Sequence, residues 1–483
     1  MFRKLKAYYE GMQPPIKASL WFLICGFLQK GISLLTTPIF TRVMTDAEYG
    51  RYNVYNSWLG VVQIIVSLNL AAGVYTRGLV KNEEDQDRFS SALLGLSTTS
   101  ILVWSVLYAI FHNLINQWLG LSTMLMVAML MEIWAHTAYQ FWSNRERVNF
   151  RYKKLVALTL IYVILRPLLG VIFILFVDEQ HQVEARVLTT VFVNIVLFSV
   201  LYILMSKKGK QFFNKKYWLY ALKFNLPLLP HYLSQIVLNQ SDRLMINSIC
   251  GPTETAYYSV AYTMAMVLQI LNTSVSATMN PWIYKSIKKN EYGQIGRVSY
   301  YILALIAILN LAVVLAAPEI LGILAPNSYQ AAVWVVPPVT ISVYFMFLYN
   351  LFATFEYYYE KTHYVTIATV AGAVLNIVLN AIFIPIWGFV AAGYTTLICY
   401  IIYALAHYCF MRKVNREQMA GAVIYDVRII LALGFGLLVC SFVIMLLYNL
   451  PVIRYGILLI LIGGMIWKRK ALLRLIRTIN NKG

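Results

Sequence analysis

The chain has 483 residues, of which 60% are hydrophobic and only 12% charged, and its mean hydropathy is +0.65. Soluble globular domains hold nearer 45–50% apolar and about 25% charged residues, so this composition excludes them and points to an all-α polytopic membrane protein. The net charge of +20 suits nucleic acid in a soluble chain, but its distribution gives it another meaning.

No cleavable signal peptide is expected, because "MFRKLKAYYEGMQPP" is basic, aromatic and broken by proline, with no apolar stretch before it. Runs of about 20 apolar residues, the length of a membrane helix, occur fourteen times. They lie at 16–40, 52–75, 89–111, 122–142, 155–177, 185–205, 218–249, 256–281, 298–324, 331–355, 363–386, 389–410, 428–448 and 451–467. The seventh is overlong and carries Pro227 and Pro230, so it is expected to start with a kinked turn. The fourteenth is the weakest.

Orientation follows from Lys and Arg, which concentrate in short cytoplasmic loops. Every second gap is basic. In turn these gaps hold Arg77, Lys81 and Arg88; Arg145, Arg147, Arg151, Lys153 and Lys154; and Lys207, Lys208, Lys210, Lys215 and Lys216. Lys285, Lys288, Lys289 and Arg297 follow, then Lys361 alone, then Arg412, Lys413 and Arg416. The alternate gaps hold only Arg42, Arg51 and Arg454, and "VDEQHQVE" (177–184) has acids without Lys or Arg. Both termini are basic and are expected in the cytoplasm. The charge is therefore a topology signal, nucleic acid is no partner, and "KRK" at 468–470 needs no nuclear role. The basic loops also suit anionic lipid heads.

After six crossings the pattern restarts. Shifted by 206 positions, "DAEYGRYNVYNSWLGVVQI" (46–64) lies over "PTETAYYSVAYTMAMVLQI" (252–270), with Glu48 over Glu254, Tyr52 over Tyr258 and Gln63-Ile64 over Gln269-Ile270. An even number of crossings between copies makes a parallel repeat, as in alternating-access transporters. The expected organisation is an N-terminal lobe at 1–206, a basic cytoplasmic linker at 207–217, a C-terminal lobe at 218–416, and a terminal helix pair with a basic tail at 417–483.

Polar residues form stripes at helical spacing. The seventh crossing offers His231, Gln235, Asn239 and Asp242, and the eighth Gln269, Asn272, Ser276 and Asn280. The second offers Asn56, Gln63 and Ser67, the first Lys30, Ser33 and Thr37, and the eleventh Thr369, Asn376 and Asn380. Single amides usually serve as interhelical glue; stripes on several helices together favour a wet cavity between lobes. At about 1.5 Å per residue, Lys30, Glu132 and Arg166 fall near mid-membrane, while Asp242 and Arg243 fall in the outer half. Neighbours i and i+1 point apart on a helix, so Asp242 and Arg243 each need another partner: a second helix, water or a ligand. Lys30, Arg166 and Arg243 outweigh Glu132 and Asp242, a balance that prefers an anion.

Enzymatic chemistry finds no footing. The outer loops are too short for a nucleophile–base–orienter set. Asp46 and Glu48 in "TDAEYG" (45–50) are expected in an exposed turn, and no P-loop is present. Six scattered histidines lack ligand spacing. The five cysteines, Cys25, Cys250, Cys399, Cys409 and Cys440, show no CxxC spacing and read as small apolar residues. Neither a metal nor a cofactor is expected.

"LLTTPIFTRVMTDAEYGRYNVY" (34–55) and "FNLPLLPHYLSQIVLNQSDRLMI" (224–246) resemble the first hairpin and seventh helix of bacterial polysaccharide-biosynthesis flippases. These are the Wzx-type lipid-linked oligosaccharide translocases of the MOP superfamily. "YYSVAY" (257–262), "NPWIY" (280–284) and "NIVLNAIFIPIWGFVAAGYTT" (376–396) resemble segments that follow. The resemblance implies fourteen helices in a V-shaped pair of six-helix lobes plus two C-terminal helices. It also implies movement of an undecaprenyl-diphosphate-linked repeat unit between leaflets of the bacterial inner membrane. Lys30, Arg166 and Arg243 would shelter the diphosphate. Coupling to a proton or sodium gradient and work beside a polysaccharide polymerase fit the same picture. The alternatives are a cation-coupled drug or metabolite exporter of the superfamily, which would want a carboxylate-rich cavity, and a membrane-embedded polymerase, which would want a large outer loop.

Overall fold

The computed structural model describes residues 14–467, so "KRK" at 468–470 and most of the basic N-terminus lie outside the described residues. Among these residues all regular structure is helical. In chain order the α-helices are α1 (Pro14–Val43), α2 (Asp46–Val66), α3 (Val74–Lys81), α4 (Gln86–Leu119), α5 (Thr123–Val148) and α6 (Tyr152–Ile174). There follow α7 (Gln182–Gly209), α8 (Lys215–Asn225), α9 (Leu229–Ile249), α10 (Pro252–Lys288), α11 (Tyr292–Leu315) and α12 (Ala317–Leu324). The last five are α13 (Val336–Tyr358), α14 (Thr362–Trp387), α15 (Phe389–Gln418), α16 (Val427–Leu446) and α17 (Pro451–Trp467).

Setting aside the short α3, α8 and α12, each helix falls on one of the fourteen apolar runs. Ten are long and apolar enough to cross a membrane, which makes this a multi-pass membrane protein. α17 is too short for that group. α2, α5 and α9 stay out for a different reason: amides, acids and arginines along their length lower their hydropathy. Among those residues are Gln63, Glu132, Gln235, Asn239, Asp242 and Arg243. The helices weakest as membrane spans thus carry half of the expected site. On the outside the pattern inverts: Leu102, Val106 and Ile110 on α4 and Leu431 and Phe435 on α16 are exposed. Such a surface is a liability in water and natural against lipid.

Local chemistry sets the breaks. Thr45 caps α2, its hydroxyl accepting from Glu48 N at 3.3 Å, so "TDAEYG" is a helix start and not the expected exposed turn. Glu48 is buried there, accepting from Val183 N at 3.2 Å and from Arg51 at 2.9 Å. Ser122 caps α5 in the same manner, and Gly120 closes α4 at φ 64°, where a side chain would be strained. Pro227 and Pro230 break the seventh run as expected: α8 ends at Asn225, a 3-10 turn spans Leu226–Leu228, and α9 follows. The ninth run breaks at Ala316 into α11 and α12.

Packing divides the chain into one unit running to Gln240 and a second starting at Ser241. The division falls inside α9, not in the basic segment 207–217 where the linker is expected. That segment and α8 pack on the first unit. Trp218 Nε1 donates to Ala92 O at 2.7 Å, Tyr217 OH donates to Asp85 at 2.6 Å, and the Asn225 amide donates to Leu68 O. Tyr75, Phe89 and Phe141 form the core beneath. The repeat is visible in helix starts, since α2 and α10 open at Asp46 and Pro252, and α4 and α11 open at Gln86 and Tyr292, both pairs keeping the sequence offset.

Two glycines permit this docking. A Cβ on Gly95 would stand 2.0 Å from Phe212 O, and one on Gly209 would stand 2.2 Å from Asp87 O. Neither backbone contact can yield cheaply, so Gly95→Val or Gly209→Val should cost about 1–3 kcal/mol. Thermal unfolding of the purified protein in detergent would show a lower Tm; an unchanged Tm would mean that the segment does not dock tightly on α4.

Candidate functional site

In the first unit Glu132 is a buried acid on α5. It accepts from Tyr55 OH on α2 at 3.0 Å and from Asn194 Nδ2 on α7 at 3.4 Å, so one carboxylate ties three helices. Tyr139 plays the same part lower on α5. Its hydroxyl receives Gln29 Nε2 at 3.1 Å and Tyr162 OH at 3.3 Å, and pairs with Thr159 Oγ1 at 3.2 Å. Gln63 Nε2 lies 3.5 Å from His136 Nδ1.

Arg166 on α6 stands differently. Its guanidinium lies over the rings of Tyr162 (4.5 Å) and Phe198 (5.7 Å), while Nε and Nη2 are buried without a hydrogen-bond partner. Among the described residues no carboxylate comes within ion-pair distance of it. Lys30 is exposed on α1 and Gln235 exposed on α9, where Asn239 donates to the Gln235 carbonyl at 2.7 Å.

In the second unit Asp242 is 1% exposed, and its carboxylate is saturated by neutral donors. Oδ1 accepts from Asn376 Nδ2 at 3.2 Å and Asn380 Nδ2 at 2.7 Å. Oδ2 accepts from Tyr258 OH at 2.5 Å and Thr396 Oγ1 at 2.8 Å. A further layer aligns the amides: Ser241 Oγ donates to Asn376 Oδ1 at 2.6 Å, and Thr395 Oγ1 donates to Asn380 Oδ1. Four helices, α9, α10, α14 and α15, meet on this one charge. Arg243 turns away, as helical geometry requires, donating from Nε to Ser259 Oγ at 3.2 Å with its guanidinium 4.5 Å from the Tyr262 ring centre. Asn272 is buried and donates to Val343 O at 2.8 Å, as interhelical glue; Gln269 is half-buried on α10.

Of the expected site residues, the structure therefore brings Asp242, Asn376 and Asn380 together, and sets Glu132 and Arg166 in one unit without pairing them. Several participants went unread in the sequence. Arg186 on α7 lies between the rings of Phe40 (3.5 Å) and Tyr52 (3.4 Å), an aromatic sandwich hidden in an apolar run. Glu356 and His407, both 0% exposed, meet at 2.8 Å between α13 and α15, and their separation in sequence gave no sign of it. Tyr258 and Thr396 carried a signal, since they fall in "YYSVAY" (257–262) and "NIVLNAIFIPIWGFVAAGYTT" (376–396), both segments of the family resemblance.

Residues 16–287 match the family described as polysaccharide biosynthesis protein. The chain belongs to that family. Residues 227–382 also match the MatE family. A protein of the Lsg locus of Haemophilus influenzae is 25% identical over 283 residues, which is 57% of this chain and 67% of that protein. Among solved structures, the lipid II flippase MurJ in an inward closed conformation superposes with TM-score 0.72 at 16% identity, covering 94% of this chain and 100% of that one. An inward-facing multidrug resistance MATE family transporter of the MOP superfamily gives TM-score 0.55 at 12% identity, with 84% and 96% covered. A MOP superfamily transporter from Pyrococcus furiosus gives 0.56 at 13% identity, with 83% and 96% covered. This polysaccharide biosynthesis protein thus has the MOP-superfamily fold.

The Asp242 network should be worth most where it is most complete. Asp242→Ala orphans four buried donors and is expected to cost about 3 kcal/mol or more. Asp242→Asn keeps one acceptor oxygen and should cost less. Thermal unfolding of both purified variants compares them; equal Tm values would show that the carboxylate is not the hub of these helices.

Proposed function

We propose that this family member is a flippase for an undecaprenyl-diphosphate-linked oligosaccharide repeat unit. It moves that unit from the inner to the outer leaflet of the bacterial cytoplasmic membrane by alternating access, feeding synthesis of a surface polysaccharide such as O-antigen or capsule. The observation that carries this reading is Arg166: two enclosed guanidinium nitrogens without an acceptor, in a unit whose buried Glu132 is already engaged by Tyr55 and Asn194. An arginine so placed is completed by an anion, and a diphosphate accepts its parallel N–H groups well. Membership of a polysaccharide-biosynthesis family supports a substrate of that class. The fold shared with a lipid II flippase is compatible with it.

The finer picture keeps fourteen crossings, both termini in the cytoplasm, two six-helix lobes with an appended helix pair, and a polymerase working downstream. Lys30 and Arg243 join Arg166 as cationic contacts, and Gln63, Gln235, Asn239 and Gln269 offer amides to sugar hydroxyls. The reaction is transport and asks for no catalytic residue or cofactor; a proton or sodium gradient drives it. The second reading, a cation-coupled exporter, has the MATE-type fold in its favour. Against it stands the surplus of Lys30, Arg166 and Arg243 over Glu132 and Asp242, with both acids already hydrogen-bonded by neutral groups.

If Lys30 and Arg166 hold the anionic head, the Lys30→Ala, Arg166→Ala double variant should lose surface polysaccharide at least tenfold at normal protein levels, with Lys30→Arg milder. Immunoblots of the glycan and of the tagged protein check both. Normal glycan output would remove the pair from the substrate site.

Arg243 and Asp242 separate the two readings. Complementation should fail with Arg243→Ala and fall less with Asp242→Asn, since only the arginine can meet a phosphate. The reverse order would favour an acid-centred, ion-coupled exporter.

A further inference from the structure

Where α11 and α16 begin and α15 ends, the second unit has a cavity of about 700 Å³ lined by Arg297, Arg412 and Arg428, with Tyr300 and Asp426 beside them. The acid does not neutralise the arginines by pairing with a guanidinium: its Oδ1 accepts the Arg428 backbone N–H at 2.9 Å, capping α16. The wall of the cavity is built in advance. Tyr425 is 1% exposed, packed on the rings of Phe352 and Phe355, and the Asp426 backbone N–H donates to Tyr300 OH. The Ile424 carbonyl lies 2.3 Å from where a Cβ on Gly296 would stand, so the 422–426 segment rests directly on the α11 backbone.

Beside it runs a second hollow of about 420 Å³ between α13, α15 and α16, lined by Leu348, Phe352, Leu405, Leu431 and Phe435. Val427 lines both hollows. Arg412, in the basic one, donates from Nη1 to the hydroxyl of Tyr408, in the apolar one, at 3.3 Å. A cationic recess and an apolar groove that share a wall form one amphipathic site. Its basic end belongs to the face that the Lys and Arg excess marks as cytoplasmic, where membrane lipids carry negative charge.

We propose that this site holds one anionic glycerophospholipid, its phosphate among Arg297, Arg412 and Arg428 and one acyl chain along the groove. The guanidinium groups supply the donors that phosphate oxygens accept, and exposed Leu431 and Phe435 supply the surface that the chain covers. A free phosphate would use the first half only. The lipid would hold α16 beside α13 and α15, where Gly434 lies against the Phe345 ring. The inference rests on the membrane reading and on the cytoplasmic placement of the basic face, and is independent of what the protein transports.

Native mass spectrometry of the full chain in detergent tests it, with phosphatidylglycerol, phosphatidylcholine and glycerol phosphate as probes. Wild type should retain phosphatidylglycerol at least tenfold more tightly than phosphatidylcholine. The Arg297→Gln, Arg412→Gln, Arg428→Gln variant should lose that tenfold preference. A Lys207→Gln, Lys208→Gln, Lys210→Gln control, altered in the first unit, should keep it. Arg428→Gln alone, at an exposed position, should give an intermediate loss, and Leu431→Glu should weaken phosphatidylglycerol through the groove. Equal retention by the triple variant and wild type would overturn the proposal. So would displacement of phosphatidylglycerol by glycerol phosphate at equal concentration, which would assign the recess to phosphate alone.

Discussion

In hydrocarbon no water is at hand to satisfy a polar group, and each one left bare costs several kcal/mol. Most of this structure follows from that constraint. It forces the backbone into helices, drives large apolar side chains outward, and obliges every inward polar residue to find a protein partner or a ligand. Asp242 shows the requirement fully met: two amides, a tyrosine and a threonine from three other helices divide its charge between its two oxygens. Glu132 shows it met with two donors, and Arg166 shows it partly unmet.

The two units answer the constraint in opposite ways. The second collects donors around an anion, so its centre is a closed network in which the charge serves assembly. The first contains a cation whose donors are not used up by the fold. Helices that begin at matching positions in the two units thus enclose different polar interiors, one centred on an acid with four donors and the other holding an arginine with two unsatisfied nitrogens.

The fold was legible because lipid enforces simple rules. Apolar runs of membrane length locate the helices, and Pro227 and Pro230 marked the break before α9. The reversed burial of 45–50 was missed because a helix start and an exposed turn share the same residues, and the Glu48 carboxylate meets Val183, far along the chain. The domain boundary escaped for a similar reason. Segment 207–217 looks like a linker by charge, yet Gly95 and Gly209 let it dock, a fact of shape that composition does not carry. Residues whose partners are other stripes on other helices, such as Asn376 and Asn380, were visible as candidates. Pairs like Glu356 and His407 depend on which helix faces become neighbours, and no single stripe reveals that.

Arg186 draws a different consequence from the same chemistry. Its guanidinium is clamped between Phe40 of α1 and Tyr52 of α2, so three helices are joined through ring faces instead of a carboxylate. The clamp itself is made of two ring faces and a delocalised cation. It also demands a flat cation: an ammonium is a compact point charge and cannot lie between two rings as a third layer. At this corner of the first unit the fold depends on planarity as much as on charge.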